Sequence, residues 1–325
     1  MDNHSLRSKI QTFRGIAILA VIMIHILPDG QWHIYIKPFL NFAVATFIFL
    51  SGYLTKVDND RLMAFYHKRI MRVLVPYVLW TVIYSLQDVH NASLISLAKN
   101  LISANASTQM YFIFVYIQFV LLTPLISKLA KSRYRFIGWL IAPLSVIAFK
   151  YIPVFGHFPM GKHLQLLWSD ACLGWFTFYY LGMMAGNRII KHSYKLSNLA
   201  IIYSASLLLQ IGEGYIWSLH DPAGCGTQLK LTALLSSTIF LLIICQILND
   251  NSNQLQCKTL ETIGNYSFGI YLSHMMIIET MESLQPDSFI PFPVSFMIVL
   301  LLSLSFCFIC THALGKKAAH VLGFI

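Results

Sequence analysis

The chain has 325 residues, 57% of them hydrophobic and only 11% charged, where a soluble globular domain carries about 25% charged residues. That composition excludes a soluble domain and requires a membrane protein. The formal net charge of +10 follows from where Lys and Arg fall between apolar runs, so no nucleic-acid partner is expected from it.

A helix needs about 20 apolar residues to cross the ~30 Å hydrocarbon layer. In chain order the runs that fit are 10–27, 35–55, 70–87, 109–127, 136–152, 169–187, 198–219, 230–248, 263–281 and 294–314. The prediction is an all-α polytopic membrane protein of about ten transmembrane helices. The first run lacks a small-residue cleavage pattern and is read as a retained span, not a signal peptide. Turn-forming residues punctuate the runs: Asp58, Asn59 and Asp60, then Pro222, Gly224 and Gly226, then Asp250 through Asn253. The connections are short, so a single domain over 1–325 is expected, with its helical core at about 10–314. If the N-terminus lies inside, only Lys37, Lys99, Lys150, Lys162 and Lys230 fall outside, and all other Lys and Arg fall inside. This asymmetry predicts that both termini are cytoplasmic. The six cysteines, Cys172, Cys225, Cys245, Cys257, Cys307 and Cys310, are scattered and read as core thiols, with no metal site expected.

Ionisable groups inside spans are costly and read first as functional. In FRGIAILAVIMIHI, residues 13–26, Arg14 and His25 are eleven positions apart. That is about 20° beyond three full turns, so they share one helix face, roughly 16 Å apart along the axis. Arg14 then lies at the cytoplasmic mouth and His25 lies deep. Taken singly, Arg14 also reads as a snorkelling anchor and His25 as a hydrogen-bonded core histidine. In YHKRIMRVLVPY, residues 66–77, Arg69 and Arg72 are neighbours on one face. Two guanidinium forks suit phosphate contacts, and positive-inside anchoring is the competing reading.

Within FIFLSGYL, residues 47–54, Ser51 and Gly52 allow a helix or a ligand to approach closely. GNYSFGIYLSHMM, residues 264–276, gathers Asn265, Tyr271 and His274, and His274 reads as a hydrogen-bonding strut before it reads as a catalytic group. Asp29, four residues after His25 with Pro28 between them, is the nearest acid for orienting the imidazole. Glu213 and Asp170 are further candidates for lining a polar cavity.

Together, the Arg14–His25 spacing, the Ser-Gly of FIFLSGYL, Arg69-x-x-Arg72 with Pro76, YYLGMMAG (residues 179–186) and YSFGIYLSH resemble the integral-membrane acyltransferase family 3. The similarity runs from residue 10 to about 312 and is greatest to bacterial surface-polysaccharide O-acetyltransferases, including the enterobacterial common antigen type. It implies a multi-pass enzyme of the bacterial inner membrane that moves an acyl group, usually acetyl from cytoplasmic acetyl-CoA, to a sugar hydroxyl of an envelope glycan or its lipid-linked precursor. The resemblance makes His25 the essential histidine and Arg14, Arg69 and Arg72 the donor-binding cations, with Ser51 beside the donor. It implies acetyl-CoA as a substrate and no bound cofactor, with membrane lipid and the envelope glycan acceptor as partners, and it leaves a homo-oligomer open.

Coenzyme A has phosphates at one end and a thioester at the other, so its site needs cations at one face and a base deep inside. A neutral His25 either takes a proton from an attacking hydroxyl or carries the acyl group itself as a relay. By side-chain type Ser51, Asn265 and Tyr271 are oxyanion donors. Competing readings are a polysaccharide exporter in which Arg14 and His25 line a conduction path, transfer of succinyl in place of acetyl, and an assembly partner without catalysis.

Overall fold

The computed structural model describes residues 3–57, 59–87, 93–156, 171–190, 194–250, 257–284 and 290–324. Asp58, Lys162, Asp170, Lys191 and residues 251–253 lie outside the described residues. Among the described residues every regular element is helical. They are α1 (Asn3–Ile26), α2 (Trp32–Tyr35), α3 (Phe42–Tyr53), α4 (Leu62–Gln87), α5 (Leu94–Ser103), α6 (Tyr111–Lys131), α7 (Ile137–Val146), α8 (Ile152–Phe155), α9 (Phe176–Gly186), α10 (Leu196–Ser218), α11 (Leu231–Asn249), α12 (Lys258–Asn265), α13 (Ser267–Leu284) and α14 (Phe292–Val321).

Among the described residues eight stretches are long and apolar enough to cross a membrane: His4–Ile26, Trp32–Tyr53, Leu62–Gln87, Tyr111–Lys131, Ile137–Phe155, Leu196–Ser218, Leu231–Asn249 and Phe292–Val321. The chain is an all-α polytopic membrane protein, and these stretches coincide with eight of the ten predicted runs. The other two differ for identifiable reasons. Run 169–187 contributes α9, a helix of 11 residues preceded by the 3₁₀ turn Cys172–Trp175. Its residues from Phe176 to Ala185 are all buried, as befits a helix that is apolar all round. Run 263–281 divides at Tyr266 into α12 and α13, and α13 carries Glu279 and Glu282, which dilute its apolar character.

Two glycine contacts set the central packing. A Cβ at Gly182 would overlap the Phe49 carbonyl, and one at Gly186 the Tyr53 carbonyl, so the Gly-x-x-x-Gly of α9 seats α9 against α3 backbone to backbone. On the other side of α1, Gly15 faces the Leu260 carbonyl and Gly264 the Gln11 carbonyl, which brings α12 against the Arg14 half of α1. Two large apolar cores result, beside a small cluster of Ile34, Trp217 and Cys225. One is built on Phe49, Phe119, Tyr179 and Tyr180, the other on Ile18, Ile22, Trp80, Ile270 and Leu272. α14 breaks at Gly315 (φ 76°, ψ 161°), and the chain then returns so that Phe324 packs edge-on against Trp80.

Candidate active site

α1 packs against α3, α12, α13 and α14, which places His25, near its C-terminal end, beside α13. There the His25 and His274 ring centroids are 5.3 Å apart with the planes tilted by 55°. His274 is completely buried. Its Nδ1 lies 3.0 Å from the Ile270 carbonyl oxygen and 2.9 Å from that of Tyr271. Carbonyls only accept, so Nδ1 carries the proton and Nε2 keeps the lone pair. That Nε2 is buried with no hydrogen-bond partner. The strut role read from the sequence is thus present at one nitrogen of His274, while the other remains available beside His25.

Asp29 takes a different position from the one expected. α1 ends at Ile26, ahead of Pro28, because the residue before a proline is pushed out of helical geometry. The helical continuation that would align Asp29 with His25 does not form. The Asp29 carboxylate is fully exposed and lies 3.5 Å from His33 Nε2.

At the other end of the α1 face, Arg14 is half-buried, and the charge of Arg72 on α4 acts on it. Arg69 Nη2 donates to the Leu54 carbonyl at 3.2 Å, a cation on the last carbonyls of α3, and its guanidinium stacks 5.2 Å from the Phe65 ring. The charge of Arg69 also reaches Tyr179, whose hydroxyl lies 2.7 Å from Thr123 Oγ1 and 3.4 Å from Thr55 Oγ1. Arg14, midway along α1, is therefore near Arg72 of α4, and Arg69 lies one turn away from Arg72 on the same helix. Among the described residues no carboxylate pairs with them. Unneutralised guanidinium groups in one place hold an anion such as a phosphate.

Near the C-terminal end of α1 lies a cavity of about 720 Å³, with His25 itself not among the residues that line it. Ile24, the neighbour of His25, forms part of its wall, with Lys37, Asn41, Lys150, Trp175 and Gln228 elsewhere around it. The segment Ala104–Tyr111 supplies another wall and is fastened to α13: the Tyr271 hydroxyl donates to the Gln109 carbonyl, and Ser107 Oγ to Glu279 Oε1 at 3.3 Å. Sequence reading assigns Lys37 and Lys150 to topology and does not find this cavity, because its wall comes from six separated segments.

The remaining candidates are placed as follows. Ser51 Oγ is buried without a partner beside the α3–α9 contact. Asn265 is exposed at the end of α12. The Glu213 carboxylate accepts the Thr232 amide at 3.2 Å and also bonds the Thr232 and Tyr151 hydroxyls. It therefore caps the N-terminus of α11, where a negative charge is favoured, and does not line the cavity next to His25. Cys307 is fully buried in the core, and Cys257 is exposed.

No solved structure matches the chain. Export proteins from Staphylococcus aureus strains MRSA252, MSSA476 and MW2, each described as a probable poly-beta-1,6-N-acetyl-D-glucosamine export protein, are 22% identical over 264 residues, covering 76% of this chain and 72% of the relative. The acyltransferase domain family matches residues 7–312, a span that takes in the arginine set, His25 and His274. The chain belongs to this acyltransferase domain family.

Proposed function

We propose that the protein transfers an acetyl group from cytoplasmic acetyl-CoA to a sugar hydroxyl of an envelope polysaccharide or its lipid-linked precursor, in the bacterial inner membrane. The observation that carries this reading is the order of groups along α1: arginines without a carboxylate partner among the described residues, then the His25–His274 contact, with a polar cavity walled in part by Ile24 near it. In this reading Arg14, Arg69 and Arg72 hold the donor phosphates, and the pantetheine arm runs along α1 toward His25. The acceptor hydroxyl comes from the cavity. Its oxygen attacks the thioester carbonyl while His25 takes the hydroxyl proton. The new ester C–O bond forms, the C–S bond breaks, and the departing thiolate takes the proton back from His25. His274 acts as a positioning residue, its ring packing 5.3 Å from that of His25 and fixing the placement of that imidazole by contact.

The test is release of free coenzyme A thiol by the detergent-purified protein given acetyl-CoA and a glycan acceptor. Release that depends on acceptor and disappears in His25→Ala supports the reading; equal release by the variant removes it. The names of the staphylococcal relatives favour a second reading, export of a polysaccharide. It is separated by proteoliposomes loaded with labelled oligosaccharide: movement of unmodified sugar in His25→Ala would support export and leave no role for the imidazole as a base.

A further inference from the structure

Resting on the acyl-transfer reading, we infer that the cavity beside His25 is built for an acceptor that carries an anionic group, a carboxylate or a phosphate, next to the hydroxyl that is acylated. Two cations of separate origin line it. Lys37 opens the 3₁₀ turn Lys37–Phe39, and Lys150 sits on the π-helical turn Ile147–Tyr151, a local widening of the kind common at functional sites. A third cation, Lys230, is fully buried behind the wall. It donates to the Cys225 carbonyl, and its charge and that of Lys37 act on one another.

The carboxylates nearby, Asp29, Asp221, Glu213 and Glu279, are not among the residues that line the cavity. Asp29 and Asp221 reach Lys37 and Lys150 through space, yet neither pairs directly with a lysine and neither lines the cavity. Glu213 faces Lys230 but is committed to the α11 cap. Two lysines and no carboxylate on the described wall make the cavity selective for negative charge.

Neutral polar side chains, Asn41, Trp175 and Gln228, lie on the same wall. Asn41, 2% exposed, has both amide atoms buried without a partner, as do Trp175 Nε1 and Gln228 Oε1. Buried polar atoms of this kind are costly unless a ligand satisfies them. Donors and acceptors interleaved around a tryptophan suit a sugar ring, and the lysines add the charge requirement. The charge of Lys37 also acts on His25.

The test uses the purified full chain with three probes. They are a tetrasaccharide alternating glucuronic acid and N-acetylglucosamine, its carboxyl-reduced neutral counterpart, and N-acetylglucosamine 1-phosphate. Binding is read from tryptophan fluorescence, and transfer from coenzyme A release. An anionic probe is expected to bind roughly tenfold or more tightly than the neutral tetrasaccharide, and the advantage shrinks as salt is raised. The Lys37→Met/Lys150→Met pair removes the preference, and the corresponding arginine pair keeps it. Which anionic probe is preferred distinguishes carboxylate from phosphate. Equal binding of charged and neutral probes by the wild-type chain overturns the inference without any variant having to fold, and leaves acyl transfer standing. Conversely, anion-selective binding with no His25-dependent coenzyme A release overturns the acyl-transfer reading and upholds the charge selectivity of the cavity.

Discussion

His25 of α1 and His274 of α13 face each other with ring centroids 5.3 Å apart. The partner of the proposed base is thus a second imidazole whose Nδ1 is tied to backbone carbonyls, while the aspartate four residues from His25 pairs with His33. Removing His274 should therefore matter and removing Asp29 should not. His274→Ala is expected to lower kcat for acyl transfer by about tenfold or more, with KM for acetyl-CoA unchanged. Asp29→Ala, on an exposed carboxylate, should leave both kcat and the melting temperature unaltered. Steady-state kinetics on the two purified variants check the contrast, and a larger loss in Asp29→Ala would reverse the assignment.

The arginine set predicts a different kinetic signature. Hydrogen bonds to charged groups are worth about 1.5–3 kcal/mol, so Arg72→Ala should raise KM for acetyl-CoA roughly tenfold to a hundredfold with a smaller change in kcat. Arg69→Ala should do the same and also lower the melting temperature, because Arg69 holds the Leu54 carbonyl at the end of α3. Titration of each variant with acetyl-CoA separates the two effects.

The α3–α9 contact tolerates no side chain. A methyl at Gly182 meets the Phe49 backbone, which cannot rotate out of the way as a flexible side chain can. Gly182→Ala should destabilise the protein by about 3 kcal/mol, the upper part of the usual overpacking range. The thermal midpoint in detergent should fall accordingly, whereas Gly212→Ala, where a Cβ meets nothing within 4 Å, should not lower it.

Glu213 caps α11 and is separate from the reaction. Loss of a capping side chain typically costs about 1 kcal/mol, so Glu213→Ala should lower the melting temperature. Because the carboxylate bonds Thr232 and Tyr151, KM for acetyl-CoA should stay at the wild-type value. A raised KM at full stability would move Glu213 into the site.

The parts of this arrangement that are legible in the sequence are those that depend on local geometry. Eight long spans follow from apolar run length alone. The shared face of Arg14 and His25 follows from the helical repeat, and Arg69 and Arg72 are paired by their spacing. What periodicity does not carry is long-range or irregular. The break at Tyr266 leaves no gap in the apolar run, yet it frees α13 to set His274 against His25. Proline terminates α1 before Asp29, so an i to i+4 argument fails where the helix does. The cavity draws Lys37 and Asn41, Lys150, Trp175 and Gln228 from four places in the chain, and nothing in their local sequence announces that they meet.

The central claim is that His25 serves acyl transfer to an envelope glycan, and mass spectrometry of envelope glycans tests it most directly. Glycans would be compared from wild-type cells, deletion cells and cells carrying His25→Ala at normal membrane abundance. Loss of a proton acceptor at the reacting hydroxyl typically costs about 10²–10⁴-fold in rate, so the account predicts an O-acetyl group present in wild type and absent from both other strains. O-acetylation retained in His25→Ala cells would contradict it.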